Sequence, residues 1–109
     1  MAIAIYDRVQ LQIFAADSES DDYEARVVDR GDEMILEIPE QKETALITIR
    51  GKRIEHYYAG RDEAPGGPDG WELIARWSKL GDIYVGIWIA DGSESLFSFR
   101  LPRKPTRTG

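Results

Sequence analysis

Apolar residues fall at every second position through almost the whole of this 109-residue chain, a period that suits half-buried strands and does not suit amphipathic helices. In the opening run Ile3, Ile5, Val9, Leu11 and Ile13 point one way and Arg8, Gln10 and Gln12 the other. The same alternation returns in Tyr23 to Asp29 and in Glu33 to Ile38, where Met34, Leu36 and Ile38 share a side. It continues in Thr44 to Arg50, Arg53 to Ala59, Trp71 to Trp77, Ile83 to Ala90 and Glu94 to Leu101. No stretch offers ten residues of helical period. The chain is therefore expected to be all-β, with about eight short antiparallel strands.

The punctuation between the runs supports that reading. Asp17 to Asp22 is a string of small polar residues that favour local backbone bonds over a ladder. Arg30-Gly31-Asp32 makes a tight reversal, Pro39 ends a strand because it has no N–H to donate, and Gly51-Lys52 is expected to turn one strand into the next. Gly60 to Gly70 is the longest gap and holds four glycines and two prolines. Ser78 to Asp82 is the next expected turn, and Asp91-Gly92 between alternating apolar runs is the strongest hairpin signal in the chain. Sequential hairpins favour an up-and-down meander, closed into a small calycin-like barrel, with a β-sandwich as the alternative. Residues 1–101 form the single β domain of this reading, and Pro102 and Pro105 leave 102–109 as a basic, flexible tail.

The segment Gly86-Ile87-Trp88-Ile89-Ala90-Asp91-Gly92-Ser93 resembles the Gly-x-Trp hairpins of small calycin-type barrels, the lipocalin-like and avidin-like families. The resemblance covers one hairpin and implies the barrel architecture. Those families place the pair near the start of the barrel, whereas here it stands near the end, so no ligand-contacting residue carries over.

Charge and composition exclude several functions. A formal net charge of −6 opposes nucleic acid and anionic membranes, both of which reward a basic surface. Eleven acids between Asp17 and Glu43 face Arg26, Arg30 and Lys42, while Arg100, Arg103, Lys104 and Arg107 close the chain without an acid. That asymmetry reads as a solvated acidic edge plus a loose tail, or as a tail that docks on this acidic region of its own or a neighbouring chain. No cysteine is present, so disulfides, thiolate metal sites and thiol nucleophiles are excluded. The N-terminal residues lack both a basic region and a long apolar run, and the expected compartment is cytoplasmic.

Residues with chemistry of their own are few. His56 is the only histidine and is expected on a strand face with Ile54 and Tyr58; acid–base work would require a partner within hydrogen-bond reach. The acidic run Asp17, Glu19, Asp21, Asp22 and Glu24 has alternate oxygen spacing but lacks the central glycine and terminal glutamate of a calcium loop. Gly66-Gly67 is followed by no lysine, so it is no phosphate loop. No catalytic residue, metal site or cofactor is assigned.

The aromatic residues carry the strongest signal. His56 and Tyr58, then Trp71 and Trp77, then Tyr84 and Trp88 gather on one face of successive strands, while Ile83, Val85, Ile87 and Ile89 make the opposite face of the seventh. That strand is apolar on both sides. An antiparallel strand with one wet face has no need of the second apolar side, which must be covered by a sheet, a ligand or another subunit. The expected function is a non-enzymatic binding module in which His56, Tyr58, Trp71, Trp77, Tyr84 and Trp88 meet a protein partner or a second copy. The alternatives are a lipocalin-like carrier of a small apolar ligand, and a hydrolase or isomerase using His56 or an acidic pair.

Overall fold

The computed structural model describes residues 3–15, 21–39, 46–62, 73–90 and 92–109. The strands are β1 (Ala4–Ala15), β2 (Asp21–Asp29), β3 (Glu33–Pro39), β4 (Leu46–Ile54), β5 (Tyr57–Arg61), β6 (Leu73–Leu80), β7 (Ile83–Ala90), β8 (Ser93–Phe99) and β9 (Arg107–Thr108). Each of the first eight pairs with its sequence neighbour, and β1 closes the sheet by pairing with both β2 and β8. The result is the antiparallel up-and-down barrel expected from the hairpin rhythm, and not a sandwich. Closure gives each of these eight strands a neighbour on both sides, and the stretch of β1 before Leu11 extends beyond β8. Among the described residues no helix is long and apolar enough to cross a membrane.

Alternation selects the core as expected for most strands. Ala25 and Val27, Met34, Leu36 and Ile38, and Ile47 and Ile49 are all buried together. The first strand departs from strict alternation. Its pairing slips between Tyr6 and Val9, where Tyr6 faces Val27 and Val9 faces Ala25. One extra residue switches the inward parity, so Tyr6 joins Val9, Leu11 and Ile13 against the core.

One expected turn lies elsewhere, and another is shorter than expected. Gly51-Lys52 does not reverse the chain; β4 runs on to Ile54, and Glu55-His56 makes the turn, with Glu55 at a φ of 54°. Gly51 is needed for packing, because a Cβ there would sit 2.4 Å from Cη2 of Trp77. Ser78 to Leu80 belong to β6, and only Gly81 and Asp82 separate it from β7; Gly81 takes a φ of 65° that a side chain would resist. The expected Gly60 to Gly70 loop also begins later. Gly60 and Arg61 continue β5 and Asp62 bridges Ile49, whereas 63–70 lie outside the described residues.

The basic tail differs most from expectation. Rather than hanging free, it turns back so that Arg107 pairs with Ile5 and Thr108 with Ala4. The Asp7 amide donates to Thr106 Oγ1 at 2.9 Å, and Arg107 reaches Asp7 at 3.3 Å. The edge of β1 beyond the end of β8 is thereby occupied by backbone donors and acceptors of the same chain, which satisfies groups that an edge leaves open.

Candidate interaction face

Of the aromatic residues singled out from the sequence, Tyr58, Trp77, Tyr84 and Trp88 line the barrel interior. Trp77 is 1% exposed, and Tyr84 and Trp88 are also buried. Tyr58 is half-buried, stacks on Trp77 with ring centroids 5.8 Å apart, and donates its hydroxyl hydrogen to the Gly31 carbonyl at 3.2 Å. Trp71 lies outside the described residues. His56 does not share a strand face with Tyr58; it is exposed in the turn after β4, because the strand continues past the expected reversal and Ile54 pairs with Tyr57.

Phe97 joins these rings and was not singled out by the sequence reading. It meets Trp77 edge-on at 6.0 Å, Trp88 edge-on at 5.9 Å and Phe99 at 6.3 Å, and Phe99 stacks on Tyr84 at 4.9 Å. Such pairs add attraction beyond the area they bury. Gly86 stands between Trp77 and Phe97 in register, and a Cβ on it would come within 2.2 Å of the Arg76 carbonyl and 2.8 Å of the Phe97 ring. The missing side chain makes room for both rings. Trp77 also donates its indole N–H to the Met34 sulfur at 3.4 Å. An eight-stranded barrel has an interior of about the volume that side chains fill, and the large rings of the second half supply that volume.

Tyr6, Tyr58 and Tyr84 sit towards the barrel end where the strands join through tight turns. Burial, and after it the Asp29 carboxylate, raises all three phenols above their ordinary value, Tyr84 to about 12. They remain neutral hydrogen-bond donors at physiological pH.

With the aromatics inside, the opposite side of the same strands faces outward. Ile83, Val85, Ile87 and Ile89 line the outer face of β7, as the two-sided pattern of that strand requires. Pairing places Leu96 and Arg76 on either side of Ile87, and Phe14 next to Leu96. Leu96 is 61% exposed, Ile87 45% and Phe14 44%. Between them and Tyr57 lies a hollow of about 610 Å³, lined also by Val85, Ser78 and Ser98. Arg76 holds its guanidinium 5.1 Å from the Tyr57 ring centre, a cation over the electron-rich face of an aromatic. Single exposed apolar side chains are ordinary on a monomer, but Phe14, Leu96 and Ile87 are adjacent across three strands.

Phe14, Leu96 and Ile74 were missed because each sits on the side of its strand that otherwise reads polar. Gln10 and Gln12 precede Phe14, and Glu94 and Ser98 flank Leu96. The apolar surface is gathered across strands, and along any one of them only β7 betrays it. No protein-family model and no curated protein matches the chain.

Proposed function

We propose that the protein is a non-enzymatic binding module whose contact surface is the outer apolar face of β7 with its neighbours β1, β6 and β8. The observation that carries this reading is the contiguous outward row Phe14, Leu96 and Ile87 beside an apolar hollow. The buried aromatic cluster serves it as a rigid foundation. Outward side chains on packed strands are positioned with less entropy loss on binding than side chains on loops. A second reading, carriage of a small apolar ligand, draws on the volume of the hollow, which falls within the roughly 300–1,000 Å³ of small-molecule sites. Its openness along the sheet favours a broad protein contact.

The double variant Ile87→Asp, Leu96→Asp tests the reading. Binding of an apolar fluorescent dye should fall to background while the near-ultraviolet dichroism of the buried tryptophans stays that of the wild type. Unchanged dye binding would refute the assignment of the face. Loss of the tryptophan signal would refute it differently, by making these side chains part of the folded core.

A further inference from the structure

Three outward rows cross the strands β8, β7, β6 and β5 in register. The first is Glu94, Ile89, Ile74, Arg61; the second Leu96, Ile87, Arg76, Ala59; the third Ser98, Val85, Ser78, Tyr57. The first row reads acid, apolar, apolar, base. The second ends in a large side chain on β8 and a small one on β5, and the third in a small one on β8 and a large one on β5.

The first row is complementary to its own reverse in charge, and the second and third are so in size at their ends, with Ile87 set against Arg76 and Val85 against Ser78 between them. We infer that the occupant of this face is a second copy of the chain, packed about a two-fold axis that runs along the strands between β6 and β7. This rests on the reading of the face as a contact surface and adds its partner. Rotation about that axis brings β8 of one copy over β5 of the other and β7 over β6. Glu94 then faces the partner copy's Arg61, Leu96 faces Ala59, Ser98 faces Tyr57, and Ile89 faces Ile74. An isologous interface makes every one of these contacts twice.

Charge supports the choice of occupant. Two molecules of net charge −6 repel over most of their surfaces, and Glu94 is the one acid in these twelve register positions. Neither Glu94 nor Arg61 belongs to an ion pair among the described residues, whereas Arg8, Arg26, Arg30 and Arg50 on the first four strands and the turn between them each lie beside a carboxylate. The axis gives Glu94 and Arg61 partners. A contact of four strands on a curved barrel is small for a stable dimer, so association should lie on the order of micromolar.

Sedimentation velocity on the wild-type chain, on Arg61→Glu, on Glu94→Arg and on an equimolar mixture of the two variants tests the axis. The wild type should dimerise with concentration. Each variant alone should associate at least about tenfold more weakly, since like charges then face each other twice. The mixture should recover the dimer, because the two glutamates of one variant meet the two arginines of the other, and this recovery also certifies that both variants fold.

A wild-type chain that stays monomeric to about 100 µM would overturn the second copy. If Ile87→Asp, Leu96→Asp still abolished dye binding, the contact surface would stand with a different occupant. A dimer untouched by either charge reversal, or a mixture that fails to recover it, would overturn the axis. A dimer untouched by the aspartate pair as well would remove both readings.

Discussion

The outer faces of the two halves of the barrel treat apolar side chains in opposite ways. On β3, Ile35 points outward yet is only 9% exposed, in register with Val28 and Arg50. Around it runs a chain of ion pairs: Arg50 and Arg30 share Glu33 at 2.7 and 3.7 Å, and Arg26 lies 3.5 Å from both Asp7 and Glu37. Long charged side chains that reach sideways to partners lay their aliphatic stems over the apolar surface between them. On β7, Ile87 has Arg76 for a neighbour, but that guanidinium lies over Tyr57 and leaves Ile87 bare. A single outward isoleucine thus becomes shielded or exposed according to where the adjacent arginine finds its partner.

The largest test of the comparison lies beneath both faces. Trp77→Ala removes the ring that touches Tyr58, Phe97, Met34 and the Gly51 backbone, and should lower stability by about 3–5 kcal/mol in urea unfolding. If the paired face and the bare face share one core, backbone amides of β3 and β7 will lose exchange protection together. Protection lost only in β7 would divide the barrel into two units of different stability.

Alkaline titration probes the tyrosines that join the halves. An unfolded phenol ionises near 10 and the Tyr84 phenol near 12, so this group's contribution is complete below pH 10 and is lost as pH rises through 12. Tyr6 and Tyr58 shift in the same direction. Wild type should therefore lose stability between pH 10 and 12, and Tyr84→Phe should lose less over that interval. Equal slopes, with tyrosinate absorbance tracking unfolding in both, would place the alkaline sensitivity elsewhere.

The shielding of Ile35 depends on Glu33. Glu33→Gln removes the carboxylate shared by Arg30 and Arg50, side chains that are themselves about 40% exposed, so the stability cost should be only about 0.5–1 kcal/mol. Apolar dye binding should rise as the shielding around Ile35 loosens. Were dye binding unchanged, the ion pairs would not be what keeps that isoleucine dry.

Much of this was legible beforehand. Alternation located eight strands and most core positions, because a side-chain period of two leaves each strand one buried face. It also marked β7 as apolar on both sides, and so required a sheet, a ligand or another subunit to cover the second side. The glycines misled for a shared reason. Gly51 and Gly60 resemble turn residues in one dimension, yet both lie within strands where another part of the molecule comes close: the Trp77 ring at Gly51, and the Arg50 carbonyl at Gly60. A close approach between strands leaves no trace in the local sequence of either one. The tail misled similarly, since its stop at Pro102 and Pro105 is legible but the open edge of β1 to which it returns is not.

Alternation and turn residues are enough to specify an all-β chain, its hairpin order and a strand with two apolar sides. Which side of β7 turns inward follows from barrel closure. Alternation is symmetric about the sheet and cannot distinguish the two faces of a strand that is apolar on both. Closure breaks that symmetry, because the barrel interior has a set volume to fill. Tyr84, Trp88, Trp77 and Phe97 fill it around the gap left by Gly86, and the smaller aliphatic residues of β7 are left on the outside.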